Sequence, residues 1–217
     1  MTILILSSST SVYGNPSELP VNEETVCKPV SPYAASRLAI EQLLPWYEHA
    51  YDLRYLSLRY GTVSGASKHI GESRLSLRLI PQILNVAEGK AEHVAIFGED
   101  YPTPDGSCIR DYLHVLDAAE AHVIAIDALG TSGLGSRTYN LGTGSGYSVH
   151  EVVEMARQVT GRKIPTERGA RRAGDAAIMI SSADRIMGEL GWQPRNSDLE
   201  RIIESSWRWR LASLGER

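Results

Sequence analysis

Short apolar runs separated by polar turns recur along the chain and predict β-strands. The first, "TILILS" at residues 2–7, places apolar residues on consecutive positions, as in a strand buried on both faces. A second run, "LRYLSLRY" at 53–60, alternates apolar and polar residues with the two-residue period of a strand. Further strands are predicted at 93–98 and 137–142, and a short one at 164–168.

Longer segments with apolar residues three and four positions apart predict amphipathic helices between these strands. The predicted helices cover 32–51, 77–89, 117–129, 148–161, 183–190 and 198–213. Ser31 is a suitable N-cap with Pro32 at the first helical position, and Ser148 with Glu151 has the capping-box spacing. Pro45 is expected to kink or interrupt the first helix, because proline has no N–H to donate and clashes with the preceding turn.

The alternation of strands and helices predicts the α/β class, with a doubly wound parallel sheet of the Rossmann type. Residues 1–60 supply only two core strands and one long helix, fewer than such a sheet needs. The sheet is therefore expected to be partial, with a smaller α/β region completing the chain.

Composition and charge exclude several classes of function. The net charge of −4 over 217 residues gives no electrostatic basis for nucleic-acid binding. No apolar run approaches the roughly 20 residues of a membrane span, and the opening "MTILILSSST" is too short for a signal peptide. Cys27 and Cys108 make no disulfide framework and no metal-ligand spacing is found, so we expect a cytoplasmic protein without a bound metal.

The sequence "SPYAASR" places Tyr33 and Arg37 four residues apart, on one face of the predicted first helix. Tyrosine ordinarily loses its proton near pH 10, so a phenolate base at neutral pH needs about 4 kcal/mol of stabilisation. A cation about 6 Å away contributes close to 3 kcal/mol at an effective dielectric of about 20. The pair is thus either an acid–base device or, as is common for such spacings, an exposed surface pair.

Four hydroxyl residues follow the first predicted strand in "SSSTSVYG" at 7–14. Residues just past the carboxyl end of a strand line the ligand crevice of an α/β sheet. A hydroxyl here, Ser9 above all, is expected to meet Tyr33 from the next helix. The alternative is that these residues only form a turn.

These motifs occur in a fixed order with "LRYGTVSGA", "VAIFGEDYPTPDGSCIRDYLHV", "YNLGTG" and "ARRAGD". Together they resemble the extended short-chain dehydrogenase/reductase superfamily, and within it the UDP-glucose 4-epimerases. The block from Val94 to Val115 is the most specific part of the resemblance. The absence of a carboxylate before "VYG" favours epimerisation over sugar dehydration.

The resemblance implies NAD-dependent interconversion of UDP-glucose and UDP-galactose through a 4-keto sugar. It assigns Tyr33 as the base, Ser9 as a hydrogen-bonding hydroxyl and Arg37 as the cation beside the base. Cofactor contacts are expected from Ser7, Tyr33, Arg37 and Tyr60.

For the nucleotide sugar, the resemblance assigns Ala95 and Phe97 to uracil, Arg110 and Arg172 to the diphosphate, and Asp175 to the uridine ribose. Thr62 and Arg78 occupy further substrate positions. Guanidinium groups suit bidentate phosphate binding, and a carboxylate suits vicinal hydroxyls. The alternative for the two arginines is a role in surface solubility.

The chain departs from the family pattern at four places. Arg37 stands where the family has lysine, which keeps the charge but not the shape, so weaker cofactor positioning is expected. The glycine-rich NAD turn is missing, and "GTGSG" at 142–146 fits it poorly and resembles a structural segment of the family. Thr62 and Arg78 replace the usual amide or imidazole side chains, and Met179 lies near a position often held by an aromatic residue.

Three hypotheses remain open: this epimerase, an impaired fragment that binds nucleotide sugar only, and a related UDP-hexose 4-epimerase. Residues 1–62 are expected to form the C-terminal portion of an NAD-binding domain. Residues 63–217 are expected to be mainly the UDP-sugar domain, with about 93–142 returning to the first sheet. The expected partner is a UDP-sugar, without nucleic acid or membrane, and a homodimer through the Tyr33 helix is left open.

Overall fold

The computed structural model describes residues 2–72, 76–131 and 134–215. The α-helices in these ranges are α1 (Pro32–Tyr51), α2 (Leu79–Ala87), α3 (Val115–Thr131), α4 (Val149–Thr160), α5 (Asp184–Leu190) and α6 (Leu199–Gly215), and a 3-10 helix covers Thr10–Tyr13. The strands are β1 (Thr2–Ser9), β2 (Leu53–Tyr60), β3 (Thr62–Ser64), β4 (Val94–Phe97), β5 (Ile109–Arg110), β6 (Tyr112–His114), β7 (Arg137–Leu141), β8 (Tyr147–Ser148), β9 (Thr166–Gly169) and β10 (Ile178–Met179).

Every helix and strand predicted from the sequence is present, with bounds that differ by at most about two residues. Ser31 caps α1 by accepting from the Ala34 N–H, and the capping box of Ser148 and Glu151 is formed. The predicted interruption at Pro45 is wrong, because α1 continues through it to Tyr51. Pro45 lies on the exposed side of the helix, where lengthened backbone hydrogen bonds are tolerated because water satisfies the carbonyl groups.

The central sheet in the described ranges is parallel, with the strand order β1-β2-β7. Its register pairs Ser9 with Tyr60 and Tyr60 with Leu141, so the carboxyl ends of the strands lie at one edge. Smaller sheets pair β3 with β6 and β4 with β9, and in a third small sheet β5 lies between β10 and β8. The shortest of these strands were not predicted, since two or three residues are too few to show a period.

Helices cover both faces of the central sheet. Consecutive residues of a strand point to opposite faces, and Ser8 hydrogen-bonds Glu41 of α1 while Ser7 hydrogen-bonds His122 of α3. The helix that carries Tyr33 therefore lies on the face opposite α3. This arrangement confirms the predicted α/β class and the partial doubly wound sheet.

Two hydrophobic cores lie on either side of the cleft described below. One joins β2 and β7 to α3 and α5 around the fully buried Trp192. The other packs α2, α4 and α6 together with Val94 and Tyr112. None of the helices in the described ranges combines the length and apolar character that a membrane crossing requires.

Candidate active site

A cleft of about 600 Å³ opens between the carboxyl edge of the central sheet and the region formed by α2, β4 and the segment after β9. Polar residues of the turn after β1 form one wall, and the ends of β4 and β5 with the segment after β9 form another. Ten of the residues assigned from the sequence line it: Ser9, Tyr33, Tyr60, Thr62, Arg78, Ala95, Phe97, Arg110, Arg172 and Asp175. Ser7 and Arg37 lie outside its lining.

Tyr33 and Ser9 face the same cleft from α1 and from the end of β1. Tyr33 is 53% exposed, and its hydroxyl has no hydrogen-bond partner in the described part of the chain. Ser9 is buried and accepts hydrogen bonds from the Ser11 N–H (3.2 Å) and hydroxyl (2.9 Å). The Ser9 side chain thus stabilises the turn, as the alternative interpretation of this motif predicted. Because it only accepts in these contacts, its own hydroxyl proton can be donated to a ligand in the cleft.

Arg37 lies behind Tyr33, with its guanidinium carbon 5.2 Å from the centroid of the tyrosine ring. Its Nη1 donates to the Ser7 carbonyl at 3.3 Å, so one cation links the tyrosine helix to β1. On the other side of the sheet the Ser7 hydroxyl bonds His122 at 3.0 Å, and the His122 ring packs edge-on against Tyr60. These contacts group Ser7, Arg37 and Tyr60 around the strand ends next to Tyr33.

Strand β4 presents alternate side chains to the core and to the cleft. Val94 and Ile96 are buried, whereas Ala95 and Phe97 line the cleft. The strand was predicted from a short apolar run without alternation, so only the structure shows which two residues face the cleft.

Two arginines approach the cleft from different segments. Arg110, at the end of β5, donates to the Ile109 carbonyl at 2.8 Å and lies 3.7 Å from the Asp175 carboxylate. Arg172 places its guanidinium 4.0 Å from the centroid of the Phe97 ring. Both cations line the same cavity, which is suitable for an anionic ligand with more than one charged oxygen.

Three of the residues that depart from the family pattern also lie in this cleft. Thr62, Arg78 and Met179 are all part of the lining. Arg78 is held by the Val63 carbonyl at 2.9 Å and by Glu72 at 3.4 Å. Its guanidinium is thus already paired, so a ligand would have to compete with Glu72 and the Val63 carbonyl for it.

The glycine-rich segment "GTGSG" wraps around a buried carboxylate. The Thr143 N–H and hydroxyl donate to Asp111 at 3.0 and 2.7 Å, and the Ser181 N–H donates at 3.3 Å. A side chain at Gly142 would meet Asp111 at 2.6 Å, so the segment needs glycine for this close approach. A phosphate in this turn would face the carboxylate, which supports the structural interpretation over a dinucleotide turn.

Asp111 lines the cleft but was not selected from the sequence. Burial raises its pKa to about 6, although the hydrogen bonds from Thr143 and Ser181 act in the opposite direction. The available signal was a single carboxylate inside the motif block from Val94 to Val115, within the mixed apolar and polar stretch "CIRDYLHV". Gln82 also lines the cleft, and no pattern in the sequence distinguishes it from other polar residues of α2.

The raised pKa of Asp111 predicts a stability that declines with pH. An acid with a folded pKa of about 6 and an ordinary unfolded pKa near 4 stabilises the fold below pH 4. That contribution, about 3 kcal/mol, is lost between about pH 4 and pH 6. The free energy of unfolding of the wild type, minus that of Asp111→Asn, should therefore decrease from about pH 4 to pH 6. Denaturation of both proteins at several pH values would measure it. The exposed Asp184, changed to Asn, serves as the control; a parallel pH dependence of wild type and Asp111→Asn would contradict the prediction.

Comparison with known proteins supports the resemblance seen in the sequence. Residues 2–142 match the NAD dependent epimerase/dehydratase family. UDP-glucose 4-epimerase of Halalkalibacterium halodurans is 46% identical over 209 residues, which are 95% of this chain and 62% of that protein. The same enzyme of Corynebacterium glutamicum is 45% identical over 215 residues, which are 99% of this chain and 64% of that protein.

A solved structure gives the same result for the fold. UDP-glucose 4-epimerase from Bifidobacterium longum, in complex with NAD+ and UDP, superposes with a TM-score of 0.91 at 36% identity. The match covers 100% of this chain and 65% of that one. The chain thus spans less than two thirds of the length of these relatives. The chain belongs to the NAD dependent epimerase/dehydratase family.

Proposed function

We propose that this protein is a UDP-glucose 4-epimerase that interconverts UDP-glucose and UDP-galactose through a 4-keto sugar, with NAD as cofactor. The observation that carries the proposal is the single cleft that collects a tyrosine, a buried hydroxyl, two arginines and a carboxylate from distant parts of the chain. The similar proteins from H. halodurans and C. glutamicum are both named UDP-glucose 4-epimerase.

The residues beside Tyr33 fit the nicotinamide end of NAD. The Tyr33 hydroxyl is unpartnered in the described part of the chain, and Arg37 makes no ion pair there. A hydroxyl and a guanidinium suit the hydroxyl groups of a ribose, and Tyr60 offers a ring edge next to them. The "GTGSG" turn is closed by Asp111, so the cofactor diphosphate is assigned to none of its residues.

In the proposed mechanism, the Tyr33 phenolate takes the proton of the sugar 4-hydroxyl, and the same phenol returns it. The Arg37 cation stabilises the phenolate, and Ser9 donates its free proton to the reacting oxygen. When bound, NAD supplies reversible hydride acceptance at the sugar C4. Arg110 and Arg172 hold the diphosphate while Asp175 binds the uridine ribose, so the nucleotide stays fixed while the sugar turns over.

The test is incubation of the purified chain with NAD and UDP-glucose, followed by chromatography for UDP-galactose, with UDP binding measured by calorimetry in parallel. Formation of UDP-galactose supports the epimerase. UDP binding without turnover favours the alternative of a nucleotide-sugar-binding fragment. Faster turnover of UDP-N-acetylglucosamine than of UDP-glucose would favour a related UDP-hexose 4-epimerase. Absence of UDP binding would reject all three.

We further propose that the protein forms a homodimer through α1. Ile40, Leu43 and Tyr47 follow one another at helical spacing on its outer face, and each is more than a third exposed. Exposed apolar stripes of this kind are typical of helix–helix interfaces. The unpaired state of Cys27 and Cys108 supports a cytoplasmic location.

Leu43→Glu should convert such a dimer into a monomer, because a carboxylate in an apolar helix interface is left without a partner. Light scattering coupled to gel filtration would measure the mass. Leu211→Glu is the matched control, because Leu211 is an exposed leucine on a different helix, α6, and its replacement should leave the dimer intact. A wild-type protein that is monomeric at micromolar concentration would contradict the proposed dimer.

A further inference from the structure

Two adjacent arginines after β9 have different surroundings. Arg172 lines the cleft and stacks on Phe97. Arg171 is outside the cleft lining and lies against the loop that follows β4. Its Nε contacts Asp100 Oδ1 at 2.6 Å, its Nη2 donates to the Asp100 carbonyl, and its guanidinium carbon lies 4.2 Å from the centroid of the Tyr101 ring.

The segment between β9 and β10, residues 170–177, has no regular secondary structure. The end of this segment is held by Ala176, which packs against a hydrophobic cluster, and by the Ala177 carbonyl, which accepts from the Ile109 N–H at 2.9 Å. Its charged anchors are Arg171, Arg172 and Asp175, which contact Asp100 with Tyr101, Phe97, and Arg110 respectively. The last two anchors belong to residues proposed to bind the nucleotide, so a ligand competes for them. The anchor made by Arg171 is independent of the ligand.

Arg171 packs closely against Gly98 and Tyr101. Tyr101 is 6% exposed, which gives its ring a fixed position. Gly98 has a φ of +81°, and a side chain there would meet Tyr101 at 2.6 Å and the Arg171 stem at 2.7 Å. The Arg171 hydrogen bond holds the pKa of the Asp100 carboxyl below its usual range, so the ion pair is charged at neutral pH.

We propose that Arg171 is a positioning residue for nucleotide binding: its contacts with Asp100 and Tyr101 hold residues 170–177 so that Arg172 and Asp175 face the cleft. Arg171 itself makes no contact with the ligand, because it lies outside the cleft lining, against Asp100 and Tyr101. The inference rests on the proposed function, since the nucleotide is the UDP part of the proposed substrate.

The experiment measures binding of UDP and of uridine, which lacks the diphosphate, by titration calorimetry. Arg171→Ala should weaken UDP and uridine by a similar factor, about tenfold, because the segment loses both the salt bridge and the ring contact. Asp100→Ala removes only the exposed salt bridge and should weaken both ligands by about threefold. The double variant should be no weaker than Arg171→Ala, since both changes remove the same salt bridge. Arg172→Ala should weaken UDP only, and Arg171→Lys should recover part of the affinity by keeping the charge.

The exposed pair Arg208 and Glu204 on α6 provides matched controls, Arg208→Ala and Glu204→Ala, which should bind like the wild type. Thermal unfolding of each variant shows whether a loss of binding comes from the local change or from loss of the fold. If Arg171→Ala does not fold, Arg171→Lys tests the contact instead. A loss for UDP but not for uridine in Arg171→Ala would show direct phosphate binding and overturn the inference. Unchanged affinity in Arg171→Ala would also overturn it but leave the proposed function intact, whereas a wild type that binds no UDP would reject both.

Discussion

Arg59→Ala should lower the free energy of unfolding by about 3–5 kcal/mol, because it leaves the Glu41 carboxylate buried without its cation. The two side chains are only 9% and 6% exposed and are joined at 2.5 Å between Arg59 Nη2 and Glu41 Oε2. A second contact from Arg59 Nε, at 3.0 Å, makes the pair bidentate. Burial opposes the charge on Arg59, but its hydrogen bonds with Glu41 more than offset this and raise the pKa of the guanidinium.

The pair belongs to a network that connects the elements bearing the candidate site. Arg59 Nη1 donates to the Tyr13 hydroxyl at 2.9 Å, which in turn donates to Asn140 at 2.7 Å. Glu41 also accepts from the Ser8 hydroxyl. The network thereby ties α1 to all three strands of the central sheet, two helical turns from Tyr33.

Urea denaturation would measure the effect, with Arg208→Ala in the exposed pair of α6 as control. That substitution should cost less than about 1 kcal/mol, because solvent screens exposed ion pairs. The combined Glu41→Leu and Arg59→Met variant should recover much of the lost stability, since it leaves no buried charge. An Arg59→Ala protein within about 1 kcal/mol of wild type would mean that the charge at Glu41 is solvated or neutral.

Tyr33→Phe should reduce the epimerisation rate by about 10²–10⁴-fold while leaving UDP affinity within about twofold of wild type. The substitution keeps the ring beside Arg37 and removes only the hydroxyl that is proposed to accept the sugar proton. The diphosphate and ribose contacts assigned to Arg110, Arg172 and Asp175 do not involve it.

The measurements are initial rates of UDP-galactose formation and calorimetric titration with UDP. Tyr51→Phe is a matched control, because Tyr51 is an exposed tyrosine on the same helix, outside the cleft lining. Equal rates for Tyr33→Phe and wild type would remove Tyr33 from the chemistry. A parallel loss of rate and UDP affinity would instead indicate that the change disturbs the cleft.

Much of the fold follows from local sequence. Apolar periods over eight or more residues predicted α1 and β2 to the residue, because each such segment must bury one face or stripe whatever its neighbours are. The shorter apolar run at 2–7 predicted β1 without its last two residues. Capping at Ser31 and Ser148 is likewise a contact within one turn of the chain. The two-residue strands β5, β8 and β10 were not predicted, since they exist only through their partners.

By itself, the sequence determined the α/β class, the long elements and the set of polar residues worth testing, since periodicity and motif order are properties of the chain. Only the tertiary structure decided which of these residues share a cavity, that Arg171 and Arg172 have different partners, and that Asp111 occupies the glycine-rich turn. It also decided that Glu41 and Arg59 form a buried pair. Burial and distance between residues remote in sequence depend on how the layers pack, and no local pattern encodes them.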